Sequence, residues 1–215
     1  MNFNRLAPFY GLIETLTTGT QMQRGRVAHL ADVAAAKRVL IVGEGNGSFL
    51  AACAKNLESS YIVIDESPAM LRRANTRWKR AGGNPDQVTF ICADLLDWKT
   101  NGSSFDLIVT HYFLDCFEAE TLPLLVAKLT SFAAPKAHWL LADFYEPDSG
   151  LTRLRSRLML RIAYAVFRKL AGVPARELTI PDQFLSEFHW TLEKRILLDW
   201  KLIHSDLWQL TNRAS

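Results

Sequence analysis

The run from Arg38 to Leu50, RVLIVGEGNGSFL, constrains the fold more than any other part of the chain. Four β-forming residues, Val39 to Val42, lead directly into the turn Gly43-Glu44-Gly45-Asn46-Gly47, and a helix-compatible segment begins near Ser48. This pattern predicts a buried parallel strand, a tight glycine turn and a helix. Glycines permit positive φ and let a ligand lie against the backbone. We therefore expect the turn to hold a nucleotide-like ligand above the strand end.

Strand-like and helix-like segments alternate along most of the chain. The predicted strands are 38–43, 60–65, 88–93, 105–110, 138–143, 190–198 and 206–212. The predicted helices are 47–57, 67–81, 118–133, 150–173 and 181–188, with two more within 5–35. Such alternation implies a parallel sheet with helices on both faces. The predicted fold is α/β: a Rossmann-like, doubly wound sheet of seven strands, mostly parallel with an antiparallel last strand.

Length and composition fit a single globular domain. The 215 residues are 49% hydrophobic and 22% charged, with no linker or repeat. We predict one domain over 1–215, with cap helices at about 5–35, a core at about 36–148 and 175–215, and a helix at about 150–173. No stretch approaches the roughly 20 apolar residues of a membrane span. The start of the sequence lacks a signal pattern, so we expect a cytoplasmic protein.

The three cysteines and the charge distribution exclude some classes. Cys53, Cys92 and Cys116 are widely spaced in apolar contexts, which predicts buried, reduced thiols. The net charge of +3 is uneven: residues 1–150 carry 14 Lys/Arg and 16 Asp/Glu, and residues 151–215 carry 11 and 6. This excess is too weak and local to indicate nucleic-acid binding. We expect no nucleic-acid partner.

The glycine turn departs from the dinucleotide fingerprint G-x-G-x-x-G, because Ser48 stands where its third glycine or alanine would be. Instead, Glu44 precedes Gly45-Asn46-Gly47, an acid followed by G-x-G. This resembles motif I of the class I S-adenosylmethionine-dependent methyltransferases, usually written (D/E)-x-G-x-G. Residues Asn4 to Tyr10 also resemble the N-terminal segment of the ubiquinone/menaquinone-biosynthesis branch of that family.

Two acids follow the next two predicted strands at the spacing of that family. Asp65 begins the run D-E-S-P-A-M-L, similar to the family's D-x-S-x-x-M-L, and Asp94 lies between Ala93 and Leu95. The resemblance implies that Asp65 accepts hydrogen bonds from both ribose hydroxyls and Asp94 from the adenine amino group. The alternative is that each carboxylate caps a turn, as Asp at a strand end often does.

The resemblance implies S-adenosylmethionine as cofactor, S-adenosylhomocysteine as product and no metal. The residues it assigns to the cofactor are Gly43, Glu44, Gly45, Gly47, Asp65, Glu66, Met70, Asp94, Leu95, Thr110 and His111. For Glu44 two roles stay open: it orients the glycine loop through backbone N–H groups, or it approaches the methionine amino group. Asn46 is expected to serve the backbone conformation of the turn.

Residues after the fourth predicted strand usually face the reacting methyl group in this family. His111 is the candidate catalytic base, since its free pKa suits proton removal near neutrality; the alternative is that it packs against the cofactor or caps the next helix. Tyr112 and Phe113 are expected to be pocket walls and Asp115 a capping or core acid. A metal-dependent catechol type would need carboxylates after both the fourth and fifth strands. Asp143 fits only the second place, so that type is disfavoured.

The helix at 151–173 carries two stripes of side chains. Leu151, Leu154, Leu158, Ile162, Ala165 and Val166 recur at helical spacing as an apolar stripe. Arg153, Arg157, Arg161, Tyr164 and Arg168 form a second stripe, predicted on a face turned well away from the first. For the basic face three roles are open: a solvated or ion-paired surface, a dimer contact, and weak contact with an anionic membrane surface.

In the family, the segment after the fifth strand commonly forms a lid. The resemblance therefore places the acceptor pocket between 5–35, 111–117 and 144–173. Its expected lining is Phe9, Tyr10, Tyr112, Phe113, Tyr145 and Tyr164.

The sequence thus predicts a monomeric or homodimeric methyltransferase that acts on a small apolar or aromatic molecule by in-line methyl transfer. Two alternatives remain at this point: a catalytically silent or membrane-surface protein on the same fold, and an aminopropyl-type transferase. The sequence predicts neither the acceptor nor the acceptor atom.

Overall fold

The computed structural model of the protein describes residues 20–56, 58–147, 149–175 and 177–211. The helices are α1 (Gln21–Val27), α2 (Ser48–Asn56), α3 (Pro68–Arg80), α4 (Leu122–Ser131), α5 (Gly150–Ala171) and α6 (Asp182–Glu187). The strands are β1 (Arg38–Val42), β2 (Ser60–Asp65), β3 (Val88–Cys92), β4 (Phe105–His111), β5 (Ala133–Phe144), β6 (Trp190–Leu198) and β7 (Ile203–Leu210). The cap residues that we predicted within 1–19 lie outside the described residues.

All seven strands form one sheet in the order β3-β2-β1-β4-β5-β7-β6. The strands β1 to β5 pair in parallel, and β7 is antiparallel to both β5 and β6. This confirms the predicted Rossmann-like sheet with its antiparallel last strand. The strand order reverses beside β1, between β2 and β4. In open α/β sheets, ligands bind in the crevice at such a switch point, outside the carboxyl ends of the strands.

Both faces of the sheet are buried, which explains the unbroken apolar run of β1. Leu40 and Val42 pack on one face with α4 residues such as Leu125. Val39 and Ile41 pack on the other face with α2 residues such as Phe49. The site described below lies where the glycine turn leaves β1 between these two layers.

Three predicted boundaries and one burial prediction were wrong. The helix predicted at 118–133 begins only at Leu122, and β5 begins at Ala133 rather than 138. The last strand, predicted at 206–212, begins at Ile203 and ends at Leu210. Cys53 is buried and Cys116 partly buried, but Cys92 is exposed. The reason is that Cys92 ends β3, the edge strand of the sheet, which the sequence pattern alone did not identify.

The helix α5 faces the domain through the side chains of Ser156, Leu160 and Tyr164, which are all buried. The predicted division of its stripes was wrong in two respects. Tyr164 points inward, whereas Arg153, Arg157, Arg161 and Arg168 are exposed. By helical spacing, Arg161 also lies beside the apolar stripe rather than well away from it. The described members of the apolar stripe are also exposed. Within the described residues, no helix has the length and apolar character needed to cross a membrane.

Candidate cofactor and acceptor site

The turn after β1 contains three glycines with positive φ, and at two of them a side chain would also clash with a neighbouring element. Gly43, Gly45 and Gly47 have φ of +66°, +63° and +83°, a left-handed backbone that side chains rarely adopt. A Cβ on Gly43 would lie 2.4 Å from the Phe113 ring, and one on Gly47 would lie 2.5 Å from Cα of Ala74. The turn therefore packs directly against α3 on one side and against the segment after β4 on the other.

Glu44 caps the first turn of α2. Its Oε1 accepts hydrogen bonds from the backbone N–H groups of Phe49 and Leu50, both at 3.0 Å. Burial raises the pKa of Glu44 to about 7, although these N–H groups oppose the shift. The written motif would place its acid two residues before a glycine of the G-x-G, where this chain has Ile41 or Gly43. Glu44 is thus one position out of step with that motif, and it bonds the helix start rather than the glycine loop.

A cleft opens above the carboxyl ends of β1, β2 and β3. Its empty space is about 680 Å³, a volume that includes the part open to solvent. Of the residues assigned to the cofactor, those that line the cleft are Gly43, Gly45, Asp65, Glu66, Met70, Asp94 and Leu95. The fold thus brings together residues from three separate strand ends that are up to 52 positions apart in sequence.

Asp65 ends β2 and forms a turn with its own backbone. Its Oδ1 accepts from the N–H of Ser67 at 2.8 Å. Burial raises the pKa of Asp65 to about 6, and the backbone N–H groups of Ser67 and Gly45 limit the rise. A carboxylate has two oxygens and about four lone-pair sites, so this turn leaves it capacity to accept from a ligand. Turn capping and ligand binding are therefore compatible at this position.

Asp94 repeats the same arrangement after β3. Its Oδ1 accepts from the N–H of Leu96 at 2.8 Å, and its backbone oxygen accepts from the N–H of Trp98 at 3.0 Å. The side chain of Asp94 is exposed at the cleft, whereas that of Leu95 is buried beneath it. An acid above an apolar floor suits a planar ring that carries a hydrogen-bond donor.

The wall opposite Asp65 and Asp94 is mostly apolar. It consists of Tyr112, Phe113, Cys116, Phe117 and Leu125. The rings of Phe113 and Phe117 pack edge to face with centroids 5.0 Å apart, which fixes their orientation. This placement agrees with the expectation that Tyr112 and Phe113 form a wall.

His111 lies at the end of β4 on the opposite face of the sheet from Leu125. Its ring packs edge-on against Phe49 of α2, with centroids 4.8 Å apart. Burial, aided by the charges of Arg26 and His29, lowers the pKa of His111 well below its usual value. The imidazole is therefore neutral near pH 7. Within the described part of the chain its Nδ1 has no hydrogen-bond partner.

The remaining predicted site residues fall into three groups. Thr110 is buried, and its hydroxyl accepts from Trp139 Nε1 at 2.8 Å, a bond within the core. Tyr164 donates to the backbone oxygen of Asp115 at 3.1 Å, and the Tyr145 ring lies 5.9 Å from that of His204. Phe9 and Tyr10 lie outside the described residues.

Sequence reasoning missed a pair of buried acids behind the cleft wall. Asp143 Oδ1 accepts from the N–H of Phe113 at 3.2 Å, and Asp115 Oδ1 accepts from the thiol of Cys116 at 3.6 Å. Burial raises the pKa of Asp115 to about 6. Burial also raises the pKa of Asp143 well above its usual value, and the nearby charge of Asp115 adds to that rise. Among the described residues, Asp143 Oδ2 has no partner. The sequence does show one acid after β4 and another near the end of β5, which could have indicated the pair. Whether the two lie close together depends on the register between β4 and β5, which the sequence does not give.

Among the described residues, no group of three or more His, Cys, Asp or Glu side chains is arranged to hold a metal ion.

Part of the chain matches a known family model. Residues 39–136 match the model of a methyltransferase domain family. No curated protein sequence matches the chain significantly. The finer resemblance to the ubiquinone/menaquinone-biosynthesis branch stays a prediction.

Several solved methyltransferase structures share the fold. The N-methyltransferase NodS from Bradyrhizobium japonicum WM9, in complex with S-adenosylhomocysteine, aligns with a TM-score of 0.61 at 17% identity, over 89% of this chain and 84% of that chain. The mitomycin 7-O-methyltransferase MmcR aligns with a TM-score of 0.72 at 14% identity, over 98% of this chain and 61% of that chain. The magnesium protoporphyrin IX methyltransferase from Synechocystis PCC 6803, with bound S-adenosylmethionine, aligns with a TM-score of 0.61 at 14% identity, over 88% of this chain and 79% of that chain. The domain match covers a little under half of the chain, and the three structural alignments show that the chain shares the fold of these methyltransferases.

Proposed function

We propose that the cleft above β1, β2 and β3 binds S-adenosylmethionine and that the protein transfers its methyl group to a small molecule. The observation that carries this proposal is the convergence of the glycine turn, Asp65 and Asp94 on one cleft at the switch point of the sheet. Two of the structural neighbours named above were solved with S-adenosylmethionine or S-adenosylhomocysteine bound, which supports the cofactor assignment.

Each part of the cofactor has a chemically suitable partner in the cleft. Asp65 is proposed to accept from the two ribose hydroxyls. Asp94 accepts from the adenine amino group, while the buried Leu95 supports the ring. The glycine turn lets the methionine portion approach the backbone, since Gly43 and Gly45 have no side chain to obstruct it.

The acceptor is proposed to be a small apolar or aromatic molecule held against the wall of Tyr112, Phe113 and Phe117. The support is the aromatic character of this wall and its continuity with the cofactor cleft. The structural neighbours include both an N-methyltransferase and an O-methyltransferase, so they do not indicate which atom of the acceptor receives the methyl group.

The bound cofactor supplies an activated sulfonium methyl group, which an acceptor lone pair takes by in-line displacement. The protein's own task is then alignment of the two molecules and exclusion of water. Phe113 contributes to this alignment, since its ring packs against Gly43 of the glycine turn and also lines the cleft.

His111 is proposed as the base that takes the proton lost by the acceptor. The support is that burial keeps its imidazole neutral and that Nδ1 has no partner in the described part of the chain. A positioning role is supported by the lowered pKa of His111, which makes the imidazole a weaker base than a free histidine, and by the packing of its ring against Phe49, away from Leu125. Kinetics of the His111→Ala variant distinguish the two roles, as set out in the Discussion.

The direct test of the function is a screen of small-molecule acceptors with S-adenosylmethionine, with homocysteine release as the readout. Turnover of any acceptor supports the proposal, and its loss in Asp65→Ala ties the turnover to this cleft. Calorimetry with S-adenosylhomocysteine separates cofactor binding from catalysis. If the protein fails to bind S-adenosylhomocysteine, the proposal is wrong. Nothing in the geometry favours an aminopropyl-type transferase or a silent scaffold.

A further inference from the structure

The outer face of α5 exposes a continuous apolar surface. Its four largest side chains are Leu151, Leu154, Leu158 and Ile162, which are 87%, 68%, 60% and 57% exposed. Single exposed leucines are ordinary, but these four follow one helix face over roughly 16 Å. The buried side of the same helix is formed by Ser156, Leu160 and Tyr164, so the exposed stripe is additional to the core contact.

Basic side chains border this apolar stripe. The helix carries Arg153, Arg155, Arg157, Arg161, Arg168 and Lys169, and it carries no acid. At about 100° per residue, Arg157 and Arg161 lie along one edge of the stripe and Arg155 along the other. Arg153 and Arg157 contact Glu146 at 3.0 and 3.4 Å, and Arg155 contacts Asp199 at 3.1 Å. The face is therefore both apolar and strongly cationic.

An exposed tryptophan adjoins the same edge. Trp200, at the tip of the β6–β7 hairpin, is 75% exposed. Arg155 anchors this tip, because its guanidinium donates to Oδ1 and to the backbone oxygen of Asp199, both at 3.1 Å. Asp199, Trp200 and Lys201 all have positive φ, between 47° and 65°, a costly backbone for three successive side-chain-bearing residues. The hairpin thus holds an indole and a lysine outward beside the helix.

We propose that the stripe of α5, with Trp200 and the bordering basic residues, docks onto an anionic lipid surface. An apolar helix face with basic edges lies in the plane of a membrane interface, where leucines enter the acyl boundary and arginines meet anionic headgroups. Tryptophan favours the same interface because its ring is apolar and its N–H is polar. A second copy of the chain fits less well, because an isologous contact would bring two helices of the same high positive charge together.

Vesicle sedimentation tests the docking surface independently of methyl transfer. The full-length protein should pellet with vesicles of equal parts phosphatidylserine and phosphatidylcholine at low salt. It should not pellet with phosphatidylcholine alone, and binding should fall at 1 M salt, where the Debye length is about 3 Å. Trp200 should report the same event as a blue shift of fluorescence that Trp200→Phe abolishes.

Two matched variant pairs assign the binding to this face. Arg161→Glu with Arg168→Glu should weaken anionic vesicle binding by about tenfold or more, whereas Lys79→Glu with Arg80→Glu, exposed on α3, should not. Leu154→Ser with Leu158→Ser and Ile162→Ser should abolish binding. In contrast, Leu124→Ser on α4, where the leucine is 61% exposed, should leave it intact. Circular dichroism should show all variants folded, because every substituted side chain is exposed.

Three results would overturn the docking surface. The first is a wild-type protein that stays in the supernatant with anionic vesicles at low salt. The second is equal loss of binding in the α3 or α4 control variants. The third is a wild-type dimer in sedimentation equilibrium that the triple serine variant converts to monomer, since this would assign the face to a second copy of the chain.

Discussion

Replacement of Asp65 by asparagine tests the ribose assignment at the residue on which it depends. Asparagine keeps a side-chain oxygen for the turn bond to Ser67 but removes the charge. A hydrogen bond to a charged group contributes about 1.5–3 kcal/mol and a neutral one about 0.5–1.5. Two ribose hydroxyls should therefore lose about 2–3 kcal/mol together, or roughly 30- to 150-fold in affinity for S-adenosylhomocysteine. Isothermal titration calorimetry at pH 8 measures this loss, with the exposed Asp86→Asn as control.

The same variant should gain stability in the absence of ligand. Burial raises the pKa of Asp65 from 3.8 to about 6. As the pH rises, Asp65 therefore loses its proton at a lower pH in the unfolded chain than in the folded protein. The free energy of unfolding consequently falls between about pH 4 and pH 6. Each pKa unit is worth about 1.36 kcal/mol, so Asp65→Asn should be about 1–3 kcal/mol more stable at pH 7. The gain should largely disappear at pH 4, and urea unfolding measures both values.

The pH dependence of binding completes this test. Because the ribose hydroxyls need an ionised carboxylate, wild-type affinity should weaken below pH 6 by about tenfold per unit. The asparagine variant should lack that component, and subtraction of its profile removes contributions from other groups such as Glu44. Affinity within threefold of wild type, with an unchanged pH profile, would falsify the ribose role of Asp65.

Three further substitutions test other parts of the account. Gly43→Ala should lower the melting temperature and abolish S-adenosylhomocysteine binding, because its Cβ would lie 2.4 Å from the Phe113 ring. The control is Gly82→Ala, where φ is +84° but the space around the Cβ is open; it should lower stability without affecting binding. His111→Ala should depress kcat at least tenfold with cofactor affinity within twofold; a loss of affinity alone would make His111 a wall residue. Arg195 of β6 pairs with the fully buried Asp206 of β7 at 2.6 Å. Arg195→Met should therefore destabilise the fold by about 3–5 kcal/mol in urea unfolding, because it removes the cation that pairs with the Asp206 carboxylate. A loss below about 1 kcal/mol would contradict a stabilising role for this pair.

The cofactor half of the site could be predicted from sequence because its residues follow strand ends. A strand ends where its apolar run ends, and the carboxyl ends of parallel strands share one edge of the sheet. Asp65 and Asp94 were therefore placed together although 29 positions separate them. Local pattern and overall topology gave the same answer for these residues.

Glu44 and α5 show what pattern alone does not determine. The carboxylate of Glu44 could have turned toward the cleft or toward the helix, and the unpaired N–H groups at the start of α2 decided the choice. Helical spacing placed Leu154 and Leu158 on one face but did not say that this face points outward. That outcome depends on the neighbouring elements, since Tyr164 contacts Asp115 and so sets the rotation of α5.

The acid pair behind the wall depends on register. His111 pairs with Ala142, so Asp143 projects just beyond the last paired residue of β4, beside Asp115. A shift of one residue would move Asp143 to the other face of the sheet. The sequence shows that both acids lie near strand ends, but only the folded structure shows that the charge of Asp115 adds to the raised pKa of Asp143.

A crystal structure of the full-length protein with S-adenosylhomocysteine is the most direct test of the proposed cofactor site. We expect the ribose hydroxyls within hydrogen-bond distance of the Asp65 carboxylate, the adenine amino group at Asp94, and the homocysteine portion over Gly43 and Gly45. Electron density for the ligand outside this cleft, or a ribose turned away from Asp65, would contradict it.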